Sequence, residues 1–215
     1  MNLVTANNLN LRILDQAVDL VRVNRFEDHS QEASYLRTYP SALVAAGATD
    51  RGLTETFLLT GAYVYGWLPA ALRVDAERLD AAAQAFGRAR AEGAVFCAAT
   101  VATVARCLHS LVGAAKVLHF ANPHRYPPWD AHIEGFRLGQ APSPYHMAQT
   151  ESYVAYVEDI EKVKREEGFL GFHHDYCMNY QQRLSQLAIP PYPLTDMRVI
   201  ESAVYEIIRA QAREL

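Results

Sequence analysis

Lys116 stands among apolar neighbours in the run Gly113 to Phe120, and Asp130 follows it across a proline-rich break. A lysine so surrounded loses the hydration that favours its ammonium, which makes the neutral, nucleophilic amine accessible. Asp130 comes directly after Pro127, Pro128 and Trp129, where a new helix is predicted to begin. A carboxylate at that place caps the helix and is kept ionised by the helix amides. Beside a lysine it can also take protons or stabilise a developing cation, so the two residues form a candidate nucleophile and base pair.

Each of these residues also has a plainer reading. Lys116 can snorkel from an apolar helix face, or pair structurally with Asp130 or Glu134. Asp130 can be an N-cap and nothing more. His119, one turn beyond Lys116, and His132, two residues beyond Asp130, are candidates to line a pocket, although isolated histidines on half-buried helices usually serve structural hydrogen bonds. Trp129 and Phe120 could stack on an extruded base or belong to the core. His173, His174 and Asp175 are adjacent, and adjacent side chains on a helix diverge by about 100 degrees, so no metal site is expected. Cys97, Cys107 and Cys177 are odd in number and lack metal-ligand spacing; neither disulfide nor zinc thiolate is expected.

The elements that must position Lys116 and Asp130 read as helices almost throughout. Apolar residues recur at helical spacing at Leu11, Leu14, Val18 and Val21, and again from Val199 to Ile208. Between these, helices are predicted over 53–65, 75–90, 94–109, 150–167 and 172–187, with Gly or Pro at their ends. No stretch alternates strictly enough for a strand. Three stiff breaks, Asn122 to Pro128, Ala141 to Pro144 and Ile189 to Pro193, serve as connections. The expected fold is all-α: one helical domain over 1–215, or two interleaved helical lobes around a cleft.

Half of the residues are hydrophobic and a fifth charged, which is ordinary globular usage. The formal net charge is −4, so any DNA contact must rest on a local patch, and the cluster Lys162, Lys164 and Arg165 alternates with acids as a solvated, salt-bridged face. The longest uncharged apolar stretch, Ala94 to Ala105, falls short of the ~20 residues that span a bilayer and reads as a buried helix. The first residues lack a basic segment followed by an apolar run, so a cytoplasmic location is expected. The apolar stripe of the last helix is a candidate homodimer surface.

The residues Leu111, Gly113, Lys116, Pro127 or Pro128, Asp130 and His132 resemble a signature of the helix-hairpin-helix DNA glycosylases, especially bacterial 8-oxoguanine glycosylase-like proteins. In that superfamily a leucine-rich, glycine-containing hairpin leads into a helix bearing a lysine, and a proline-containing turn delivers an aspartate followed by x-His. The resemblance implies an all-helical, two-lobed fold with DNA as partner and no cofactor. It implies that Lys116 attacks the sugar anomeric carbon to form a Schiff base, and that Asp130 assists departure of the base. It also implies that the hairpin around Gly113 holds a DNA phosphate through backbone amides; His119, Trp129 and His132 are, from their positions, the further candidates to bind substrate. The alternative is a non-catalytic helical protein that binds a partner or small ligand in its cleft.

Overall fold

The computed structural model describes residues 7–24, 26–27, 30–68 and 70–213. Its regular structure is entirely helical, in twelve segments: α1 (Leu11–Leu14), α2 (Gln16–Val23), α3 (Gln31–Gly47), α4 (Leu53–Tyr65), α5 (Leu79–Arg90), α6 (Ala98–Leu108), α7 (Leu111–Ala121), α8 (Ala131–Leu138), α9 (Pro144–Met147), α10 (Thr150–Val163), α11 (Phe169–Gln186) and α12 (Asp196–Arg213). No strand occurs among the described residues.

The helices fall into two groups that share one hydrophobic core. In the first, α3 to α7 pack on one another, with α7 against α3, α4, α5 and α6. In the second, α2 packs on α11 and α12, and α8 on α12, so helices from early and late in the chain meet. The apolar stripe of α12, including Val199, Ile200, Ala203, Val204 and Ile207, is buried within the chain. It therefore serves the core of the chain.

Several boundaries differ from the expected ones. The N-terminal stripe is interrupted at Asp15, giving α1 and α2. Residues 75–78 form a turn before α5, and the Asp75 carboxylate accepts from the Glu77 amide at 2.9 Å. Residues 94–97 precede α6 in non-helical conformation with Val95 largely exposed, so this apolar stretch is not one buried helix. The end of α10 falls at Val163, and α11 begins at Phe169 after Gly168, whose φ of 93° is favourable only for glycine. No helix was expected over α3, yet it runs through Pro40. On the face of α10, Lys162 does pair with Asp159, but Asp159 is buried and also binds Arg137. No helix is long and apolar enough to cross a membrane among the described residues.

Candidate active site

The α6–α7 connection is short: His109 turns through a left-handed conformation (φ 50°) and Ser110 caps α7, its Oγ accepting from the Gly113 amide at 2.9 Å. Lys116 lies in the middle of α7, on the side facing α8 and α12. Its Nζ donates to Asp130 Oδ2 at 3.1 Å, with the lysine and aspartate side chains 17% and 15% exposed. The expected pair is therefore an ion pair at the edge of a cavity.

Asp130 is held from three directions. As the N-cap of α8 its Oδ1 accepts from the amides of His132 and Ile133, at 3.0 and 3.2 Å. Its Oδ2 accepts from Lys116 and from the hydroxyl of Tyr205 on α12. Burial opposes the charge, but the Lys116 ammonium, the Tyr205 hydroxyl and the α8 amides outweigh it and hold the carboxyl below the usual range. The same interactions leave Tyr205 a reluctant acid: burial and the neighbouring Asp130 charge push its hydroxyl up.

The proline-rich loop between α7 and α8 is fixed by its carbonyls. Tyr153 and Tyr156 of α10, both fully buried, donate to the carbonyls of Pro127 and Pro128 at 2.8 and 3.3 Å. His119 Nδ1 donates to the Tyr126 carbonyl at 2.9 Å, since a carbonyl can only accept. That fixes the tautomer: His119 Nε2 accepts from Tyr39 Oη at 2.8 Å. Burial drives the His119 imidazole down to about 3, so it is neutral in the folded protein. Trp129 anchors the loop from below, donating Nε1–H to Glu134 Oε2 at 3.0 Å. Glu134, also fully buried, binds Arg137 and His146, and Arg137 binds Asp159 of α10.

Lys116 borders two adjoining cavities between α3, α7 and α12, the lobes of one site in that they share Tyr35, Lys116, Arg198 and Glu201. The larger lobe, about 160 Å³, is lined by Tyr35, Tyr205, Glu201, Arg198 and Glu32 among others. The smaller, about 40 Å³, is walled by Tyr35, Tyr39, Trp67, Phe120 and Pro128. The aromatic rings form a continuous wall, with centroid separations of 4.9 Å for Tyr35 and Trp67 and 5.3 Å for Trp67 and Phe120. Arg198 and Glu201 are paired and reach both lobes. Burial raises the Glu201 carboxyl, against the lowering effect of Arg198 and Lys116.

Of the residues expected to bind substrate, His119 reaches the smaller lobe, with both ring nitrogens engaged by the protein. Trp129 is buried in the core with its N–H satisfied. Gly113 is inside α7, where an added Cβ would collide with Tyr65, and its amide is held by Ser110. His132 is exposed and borders a separate shallow groove beside α12. Sequence reasoning missed Arg198, Glu201, Tyr205 and Tyr35. The first three recur at intervals of three and four residues, one face of α12, which was visible as a polar flank to the apolar stripe.

Among the described residues no group of three or more His, Cys, Asp or Glu is placed to hold a metal ion, and the three cysteines are free. Comparison with known protein families, with curated proteins and with solved structures finds no match for this chain.

Proposed function

We propose that this chain is a DNA base-excision glycosylase of the helix-hairpin-helix kind, with Lys116 as nucleophile and Asp130 as its proton partner. The observation that carries this reading is the 3.1 Å contact between Lys116 Nζ, on the wall of an aromatic-lined cavity, and a carboxylate fixed at a helix N-terminus. The chemistry needs no cofactor. Asp130 takes a proton from the Lys116 ammonium, and the freed lone pair attacks the sugar C1′. The C1′–N bond breaks, its electron pair leaving with the base, which receives the proton from Asp130. The C1′–O4′ bond then opens, O4′ taking a second amine proton, and a protonated imine joins Lys116 to C1′.

Borohydride reduces that imine to a stable secondary amine, so wild-type protein with DNA bearing base lesions or abasic sites is expected to give a covalent complex. Lys116→Gln should give none. Absence of a complex across a lesion panel would refute the lyase chemistry.

One observation favours a second reading, a non-catalytic ligand-binding protein. Asp130 accepts four hydrogen bonds from within the chain, so the pair is complete as a structural ion pair. On that reading Lys116→Gln lowers thermal stability and no adduct forms with any DNA.

A further inference from the structure

We propose that the two-lobed cavity binds a planar nitrogen heterocycle by its lactam edge, a ring N–H donating to Glu201 and the adjacent carbonyl accepting from Arg198. This deepens the glycosylase reading by naming the kind of base the pocket takes, and rests on it only in treating the heterocycle as a nucleobase.

The walls and the floor of the cavity differ in kind. The walls of the larger lobe are partly aromatic, supplied by Phe26, Tyr35, Tyr180 and Tyr205, while the lobe of about 40 Å³ beside Trp67 and Phe120 is too small for a ring of its own. Aromatic faces of this sort stack on planar heterocycles without distinguishing them. The polar end is built by two residues on one face of α12. Glu201 is only 4% exposed. Its Oε2 already accepts from Arg198 Nη1 and from Ser202 Oγ, whereas Oε1 has no donor among the described residues. Glu201 lines the cavity, so that oxygen is free to accept a ligand N–H.

Arg198 complements it. Its guanidinium lies over the Tyr39 ring at 4.9 Å from the centroid, and Nη1 is used on Glu201. Nε is buried without an acceptor, and Nη2 has none among the described residues. An ionised carboxylate only accepts and a guanidinium only donates, so the ligand edge must set a donor beside an acceptor. A lactam supplies a ring N–H next to a carbonyl oxygen with two lone pairs, which suits a guanidinium that keeps unused hydrogens on Nη1 and Nη2. An amidine edge offers a ring nitrogen with one lone pair, and fits less well. Lys116 borders both lobes, so the edge-reading pair and the amine act on one bound molecule.

The chain has two tryptophans, and Trp129 is fully buried in the core, so fluorescence changes on ligand binding report on Trp67 in the cavity wall. The full chain is titrated with 2′-deoxyinosine, 1-methyl-2′-deoxyinosine and 2′-deoxyadenosine, the first presenting the lactam, the second lacking its N–H, the third presenting an amidine. Deoxyinosine should quench saturably, and the other two should bind roughly tenfold or more weakly, as expected when a buried polar group is left unpaired. Glu201→Gln should erase most of that difference. Failure of deoxyinosine to bind, or equal binding of its N-methyl derivative, overturns the proposal even if the variant does not fold. Selective binding without borohydride trapping would leave this inference standing and remove the glycosylase reading. Trapping on abasic DNA without selectivity would do the reverse.

Discussion

Asp130 Oδ2 accepts from donors on two different helices, Lys116 of α7 and Tyr205 of α12, and this sharing has a consequence for its proton affinity. If Lys116 leaves to attack a substrate, Tyr205 remains to satisfy the carboxylate and keep it oriented. Tyr205→Phe removes a donor that favours the ionised form, so the Asp130 pKa should rise. A carboxyl-carbon NMR titration of wild type and variant checks this; an unchanged midpoint would mean that the hydroxyl contributes nothing. The pair itself was legible in the sequence because a lysine in an apolar run and an aspartate after a proline break are both locally unusual. Tyr205 was not, since a tyrosine in an amphipathic helix looks like any core residue until its hydroxyl is seen to point at a carboxylate.

The element that sets Asp130 in place is α8, and capping and chemistry can be separated there. Aspartate and asparagine are about equally good N-caps, so Asp130→Asn should keep most of the capping and lose the charge. Asp130→Ala should lose both, with a capping cost of about 1 kcal/mol. Thermal unfolding ranks the two variants, and trapping assays should find both impaired. An active Asp130→Asn would show that only the cap matters. The other end of α8 is tied to α10 through Glu134, Arg137 and Asp159. Arg137→Ala leaves two carboxylates without their buried cation and should destabilise the fold by about 3–5 kcal/mol in denaturant titration. Helices with clear punctuation, such as α4, could be read from the sequence to the residue. By contrast α3 was missed because Pro40 sits in its middle, where proline normally ends a helix. Packing on α4 and α7 holds it together across that residue.

At the scale of the molecule, the two groups of helices meet along α7, α8 and α12, and the groups that titrate there link folding to pH. His119 is ordinarily half-protonated near 6.5 and is driven to about 3 in the fold, so the unfolded chain binds the extra proton. Its contribution is complete above 6.5 and lost as pH falls from there toward 3, at a limiting slope of roughly 1.4 kcal/mol per pH unit. Asp130, with its carboxyl held low, adds a loss of the same sign at more acidic pH. Denaturation measured across this range should show the slope, and His119→Gln should be less stable at neutral pH but flatter below it. The all-helical class was readable because the 3.6-residue period runs nearly the length of the chain. The pocket was not, because its polar floor comes from α12, far in sequence from the lysine it faces.

The proposed chemistry makes Lys116 a nucleophile toward the C1′ of a deoxyribose. It is tested most directly by reducing the protein with borohydride on DNA carrying an abasic site, digesting the product and locating the adduct by mass spectrometry. The expected product is a secondary amine linking the sugar remnant to the peptide containing Lys116, with none in Lys116→Gln. An adduct on another residue, or no adduct with folded wild-type protein, would contradict it.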